Sequence, residues 1–277
     1  MGNGWKYYNH AMIPDCAPHE VADLTPLHDG TIWKHAGATP LFARWTSDFD
    51  CGYETDWWYV IRNAPFHIEE LSAHARKHIR QSLKKCFVSR IAIQDNIDSL
   101  YLCYQEAHQR YKEADNKVSY NEFRRGCLND EKNGIEYWGG FDVSSNRLIG
   151  YMTICVNENY VESVSSKYSA EYLKTGVSNA INYTILQYYL NDCKKDYISA
   201  GARSINHFTN AQEYKERTFG YRKAYCKLHI VYNPKIRWLI KVLFLFRRIL
   251  LSFDKIPKIH QINSVLKMEE IRKAQNE

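Results

Sequence analysis

The stretch 170–191 constrains the fold more than any other. Val177, Ile181, Ile185, Tyr188 and Tyr189 recur along it at helical spacing, so one side of a long helix is apolar. The helix stands between a strand-rich region, 135–164, and a further short strand at 196–200. Such a bridge is a crossover, and a crossover joins parallel neighbours of one sheet. The runs 135–142, 148–157 and 160–164 are separated by short turns and read as an antiparallel meander. A sheet holding both kinds of pairing is mixed, so the fold class is α/β (α+β), with helices flanking a mixed sheet.

The rest of the chain extends this pattern. Residues 1–30 carry Pro14, Pro18 and Pro26 and read as an irregular arm. Aromatic, β-rich runs at 31–35, 40–45 and 57–62 suggest a strand meander. Residues 67–85 read as a basic helix whose buried face is Ile68, Leu71, Ala75, Ile79 and Leu83. A strand follows at 87–93, then a helix from Asp95 or Asn96 to about residue 114. Ser119 with Glu122 three positions on has capping-box spacing and opens a helix at 120–128. A short helix at 210–218 and a strand at 221–232 complete the order. The expected divisions are 1–85, an N-terminal arm, meander and basic helix; 86–233, the main mixed-sheet domain; and 234–277, a basic amphipathic helix and a polar, loose helical tail from 259.

Apolar residues make up 45% of the 277 and charged residues 25%, which excludes a disordered or collagenous chain. The eight cysteines include no C-x-x-C pair, and no histidine cluster has zinc-ligand spacing, so no metal is expected. The first ten residues contain no apolar run, so no secretory signal is expected. The cysteines then read as reduced, mostly buried small hydrophobes of a cytoplasmic protein.

The net charge of +6 is concentrated. Between positions 235 and 258 stand seven cations and one anion, Asp254, which account for the whole excess. The 18 residues 236–253 are otherwise Leu, Ile, Val, Phe and Trp with one Ser. On a helix, Arg237, Lys241 and Arg248 fall within about 40° of one another. Four cations in so short a stretch argue against spanning a bilayer. A basic amphipathic helix lying on an anionic membrane surface is the favoured reading; a helix packed on the domain or on a second subunit is the alternative.

From about residue 87 onward the element order resembles the acetyltransferase (GNAT) fold: strand, two helices, three-strand meander, long helix, strand, helix, strand. The basic helix leading into Cys86-Phe-Val-Ser-Arg-Ile resembles a junction of the Fem-type acyltransferases, whose N-terminal half is a degenerate copy of the same fold. Tyr197-Ile-Ser-Ala-Gly-Ala-Arg-Ser-Ile-Asn-His-Phe-Thr-Asn and the later Phe219-Gly-Tyr-Arg-Lys-Ala-Tyr are similar to that group as well. The likeness spans roughly 60–240. It implies an acyl donor, acetyl-CoA or another acyl-CoA, at the loop that opens the long helix. Lys174, Thr175, Gly176 and Asn210 are the cofactor-binding candidates. The loop Ser165-Ser-Lys-Tyr-Ser-Ala-Glu-Tyr-Leu-Lys-Thr-Gly176 has a single glycine, so an acyl-tRNA or acyl-carrier donor, or a degenerate site, stays open.

Acylation of an amine needs a base for the amine, N–H donors for the tetrahedral oxyanion and an acid for the leaving group. The densest polar run is Arg203, Ser204, Asn206, His207, Thr209 and Asn210. His207 is the candidate base or acid because it titrates near neutrality, with Ser204 beside it; Arg203 and Asn206 are substrate-binding candidates. The alternative for this run is a hydrogen-bonded loop that caps a helix at Asn210. Glu158 and Glu162 are carboxylates within the meander, with Glu158 as a catalytic candidate; solvated edge-strand acids are the alternative. Tyr214, Tyr221 and Tyr225 offer phenols for leaving-group protonation or simply for packing. Trp57 and Trp58 offer aromatic faces for a sugar or amine, against core packing. The basic helix 67–85 offers cations to a phosphate, against a solvated charged face.

The function expected from these readings is transfer of an acyl group from a thioester or related donor to an amine. The acceptor would be an envelope sugar or glycan precursor at the cytoplasmic face of a bacterial inner membrane. A non-catalytic, membrane-associated binding protein on a degenerate acyltransferase fold is the alternative. Nucleic acid is not an expected partner, apart from tRNA if the donor is Fem-like.

Overall fold

A computed structural model describes residues 4–34, 39–109, 117–205 and 210–275. In chain order the strands and helices are β1 (Trp5–Tyr8), β2 (Ala11–Pro14), α1 (Thr25–His28), β3 (Phe42–Ser47), β4 (Trp57–Asn63), α2 (Ala73–Lys85), β5 (Cys86–Arg90), α3 (Ile93–His108), α4 (Tyr120–Lys132), β6 (Ile135–Asp142), β7 (Leu148–Val156), β8 (Tyr160–Tyr168), α5 (Val177–Leu186), β9 (Tyr197–Ala202), α6 (Ala211–Phe219), β10 (Arg222–Tyr232), α7 (Arg237–Leu245), α8 (Arg247–Leu251) and α9 (Pro257–Ala274). They form two compact units. One comprises Met1–Tyr59, Ala202–Thr209 and Lys223–Glu277, the other Val60–Gly201 and Asn210–Arg222. The division differs from the sequential one expected because the C-terminal elements complete the fold of the N-terminal ones.

In the second unit the strands run in the order β9-β8-β7-β6-β5. β5 through β8 pair antiparallel, and β8 pairs parallel to β9, as the crossover at 170–191 demands. α5 lies close on this sheet. A Cβ on Gly140 would come within 2.5 Å of Val177 Cγ2 and 3.0 Å of Ile181 Cδ1, so only glycine lets the helix approach there. The predicted long helix is shorter at its start and changes pitch near its end. A 3-10 turn, Leu173–Thr175, precedes α5, and a π-helical stretch, Gln187–Asp192, continues it. Asn191 in that stretch exchanges two hydrogen bonds with the Phe66 backbone. α4 carries the predicted capping box, with Ser119 and Glu122 satisfying each other's backbone N–H. α2 starts later than predicted, capped by Ser72. Ser82 rather than Leu83 turns inward, against Gly176 of the α5 turn.

In the first unit the strand order is β1-β2-β3-β10, with β2 parallel to β3 and the other pairs antiparallel. The N-terminal arm is therefore ordered: β1 and β2 form a hairpin through Asn9 and His10, both at positive φ. The predicted strand at 31–35 is instead a 3-10 turn, Thr31–Trp33, with Ile32 buried. The tail expected to be loose is α9, whose Leu266, Met268 and Ile271 are buried. Met268 and Ile271 share a core cluster with Ala11, Phe42, Trp57, Cys226, Leu228 and Ile230.

All eight cysteines are free thiols; Cys86, Cys103, Cys127 and Cys226 are buried, while Cys16 and Cys193 are exposed. Burial pushes the Cys103 and Cys226 thiols up to about 12, which suppresses the reactive thiolate. A mild alkylating reagent at neutral pH should label Cys16 and Cys193 first and leave the four buried thiols until urea is added. Mass mapping of the labelled peptides checks this, and early labelling of Cys103 or Cys226 would contradict it.

Candidate functional site

The crossover builds a site in the second unit. β8 and β9 pair only at Tyr160–Tyr197, Val161–Ile198 and Glu162–Ser199. Beyond that point β8 stays with β7, and no β8–β9 pairing is seen among the described residues. The partition coincides with a bulge: Thr153 pairs with Ser165 while Ile154 pairs with Ser163, so Val164 is the extra residue in β8. A bulge leaves its extra residue out of the ladder, and the following Ser165 N–H donates to Thr153 Oγ1 of β7 at 3.0 Å.

β8 leads into the turn that opens α5. Gly176 adopts φ +79° there, in the left-handed region that favours glycine. Ser178 and Asn179 occupy the first turn of α5. α6 closes on them. Gln212 donates from Nε2 to the carbonyls of Ala200 and Gly201, 3.3 Å each, which ties the start of α6 to the end of β9. The Tyr214 hydroxyl donates to Asn179 Oδ1 at 2.5 Å and lies 3.3 Å from Ser178 Oγ. Burial pushes the Tyr214 phenol up to about 12. Tyr168 at the end of β8 is raised the same way. Both phenols hold their protons at neutral pH.

Lys215, next to Tyr214 on α6, is the most unusual buried group of this unit. It is 8% exposed, and no carboxylate pairs with it among the described residues. Its Nζ lies 5.4 Å from the Tyr221 ring centroid. Burial alone pulls its pKa from 10.5 down to about 8. Buried lysines without a partner are rare, because an ammonium loses far more hydration than an aromatic ring returns. Lys215 and Phe219, four apart, are the two buried residues of α6, and Gly220 at φ +66° stops the helix behind them. A second cation is close: burial raises the Tyr221 phenol and Arg62 offsets part of that rise; Arg62 also pairs with Glu70 and stands 5.5 Å from the Phe66 ring.

No protein-family model matches the chain, and no curated protein matches it. Solved structures do. FemX superposes with a TM-score of 0.59 at 10% identity, over 85% of each chain. The C-terminal domain of an Agrobacterium fabrum protein described as a lysylphosphatidylglycerol synthetase gives 0.54 at 11%, over 86% of this chain and 82% of that one. L-PGS from Bacillus licheniformis gives 0.52 at 11%, over 88% and 84%. The fold is that of the Fem-type, GNAT-like acyltransferases.

Within this Fem-type fold, the coenzyme A phosphates would lie at the α5 N-terminus, where backbone N–H groups and the helix dipole attract anions. The residues there do not fit a pyrophosphate cradle. A Cβ on Gly176 would sit 3.0 Å from Ser82 Cβ, so α2 occupies the space beside the turn. The Thr175 hydroxyl is committed to the Tyr172 carbonyl at 2.6 Å, and Lys174 points to solvent. Asn210 is the N-cap residue of α6 without a side-chain capping bond.

The other sequence candidates fall elsewhere. Glu158 is exposed in the β7–β8 turn, its carbonyl accepting from Lys195 Nζ. It stands at the opposite end of β8 from α5. His207 and Asn206 lie outside the described residues. In the first unit, Trp58 and Arg203 come together with Lys223 around a pocket of about 530 Å³. The Arg203 guanidinium and the Lys223 ammonium each lie 4.4 Å from the Trp58 ring centroid. Ser204 is exposed in the segment after Arg203. Trp57 faces the other way, 2% exposed in the core.

Sequence reasoning overlooked Lys215. A lysine in Ala-Gln-Glu-Tyr-Lys-Glu-Arg-Thr-Phe reads as one more charge on a polar helix. The available signal was its i, i+4 spacing to Phe219 in a helix ended by glycine, which sets both on the single inward stripe.

Proposed function

We propose that this protein transfers an acyl group from an activated ester donor to an amine, with Lys215 taking up the proton of the attacking amine. The observation that carries this reading is a buried lysine with no carboxylate partner among the described residues, its pKa drawn down to about 8 by burial, near the working pH a general base needs. Tyr214, held protonated by burial and oriented by Asn179, supplies the proton to the leaving group. In this reading the Val164 N–H at the bulge receives the oxyanion, since the Ser165 N–H is committed to Thr153 Oγ1. Fold likeness alone is a weak argument for chemistry; here it agrees with an independent reading of the residues.

The donor is a thioester or an ester such as an aminoacyl-tRNA. The crowded α5 turn favours a donor that makes no demand for a pyrophosphate cradle there. The acceptor is an amine on an envelope sugar, glycan precursor or lipid at the cytoplasmic face of a membrane. One structure of this fold carries the name of a lysylphosphatidylglycerol synthetase, which keeps a lipid among the acceptors to test. The test offers acyl-CoA and aminoacyl-tRNA donors with amino-sugar and aminolipid acceptors, and follows product by mass spectrometry. Acylated product with either donor supports the proposal; background levels with every combination would remove it. The packed α5 turn also favours a second reading, a non-catalytic binding protein, which predicts acceptor binding by calorimetry without turnover.

A further inference from the structure

We infer that α7 and α8 form a docking surface for anionic phospholipid, fixed in place by α9. This adds a lipid class and a contact surface to the membrane location proposed above, and rests on that reading for location alone. The single amphipathic helix expected from the sequence is broken at Phe246 into two short helices, and neither contains a buried residue. Trp238 is 74% exposed and Leu245 76%. Phe246, Ile249, Leu251 and Phe253 are more than half exposed as well. A contiguous run of large apolar side chains left in water marks an interaction surface.

The underside is not free. α9 holds it through Asn263, which donates to the Leu250 carbonyl at 3.1 Å and to Asp254 at 2.8 Å. His260 reaches Asp254 at 3.0 Å, and the Lys273 ammonium sits 3.9 Å from the Phe244 ring centroid. The exposed side is thus what remains after the helices have packed.

Charge selects the occupant. Arg237, Lys241, Arg248, Lys255 and Lys258 have no carboxylate partner among the described residues, and only Arg247 approaches one, Glu270, at 4.0 Å. A second copy of the chain meeting this face across a two-fold axis would set these cations against their own like. RNA would satisfy the cations and leave the leucines and phenylalanines in water. A bilayer surface rich in anionic lipid satisfies both: apolar side chains enter the acyl boundary while Lys and Arg reach back to the headgroups. No described helix is long and apolar enough to cross a membrane, so the contact lies in the plane of the surface.

The experiment is flotation of the full chain with vesicles of phosphatidylcholine alone or with about one third phosphatidylglycerol. Binding is expected to the anionic vesicles, to fall steeply as salt is raised, and to be far weaker on neutral ones. Arg237→Gln, Lys241→Gln and Arg248→Gln combined should weaken binding about a hundredfold, each cation near the surface being worth roughly a fivefold factor. Leu245→Ser with Ile249→Ser should weaken it at unchanged salt dependence. Circular dichroism of both variants confirms that they fold. Equal binding to neutral and anionic vesicles, or unchanged binding by the triple variant, overturns the inference. So does a concentration-dependent dimer broken by Leu245→Ser, or salt-sensitive RNA binding, if vesicles are ignored. Acyl transfer to a water-soluble amine should be untouched by these variants, which separates failure here from failure of the proposed chemistry.

Discussion

Lys215→Met is expected to lower acyl transfer by about 10²–10⁴-fold, the range for loss of a positioned general base. The wild-type rate should rise with pH through about 8, as the Lys215 ammonium gives up its proton, and that limb should vanish in the variant. Lys215→Arg keeps the charge but cannot act as a base at these pH values, and it should not restore the rate. A rate that instead falls above pH 8 would mean that the ammonium form works, as an electrostatic clamp, and would overturn the base assignment. Stability should depend on pH in the same sense as activity. The folded-state pKa lies below the unfolded one, so the native state binds fewer protons between about pH 8 and 10.5. Wild-type stability therefore rises with pH across that window. Lys215→Met removes a buried charge of similar volume, so urea midpoints should be equal or higher near pH 7 and lack that rise. A variant that is both active and less stable would show Lys215 to be a packing residue.

Trp57→Ala should cost about 3–5 kcal/mol, the range for deleting a large aromatic from a core, whereas Trp58→Ala should cost about 1 kcal/mol. The neighbours in sequence point to opposite faces of β4. Trp57 packs with Phe42, Leu228 and Ile271, and the buried Arg44 guanidinium lies 5.7 Å from its ring centroid. Trp58 is only half-buried and loses its two cation contacts when removed, each a modest term at such a site. Urea midpoints at constant slope measure both. A small loss for Trp57→Ala with a large one for Trp58→Ala would reverse the assignment of faces.

The elements legible in the sequence were those whose local chemistry and tertiary role agree. Ser119 and Glu122 cap α4 as their spacing requires, and the apolar side of 177–185 meets the sheet. The misreadings share a physical cause: long-range partners overrode local signals. Asn9 and His10 take positive φ without the glycine that usually marks a hairpin, because β2 is held by β3. Residues 257–274 look polar, yet Met268 and Ile271 join a core that includes Ala11, Phe42 and Trp57, more than two hundred residues upstream, along with Cys226, Leu228 and Ile230 of β10. The same holds for the site. Its strand parting follows from the crossover and was foreseeable; the depth at which Lys215 lies depends on what α6 packs against, which no local spacing reveals.

The way α9 joins that cluster sets an order of events during synthesis. The second unit is complete once residue 222 has been made, since its last segment is Asn210–Arg222. The first unit begins with β1 and β2 yet needs Met268 and Ile271. Its opening strands therefore emerge early and wait, with Phe42 and Trp57 uncovered, while the middle of the chain folds. A nascent chain stalled before α9 would present a finished central unit beside an unfinished one, a natural target for chaperones that bind exposed aromatic strands.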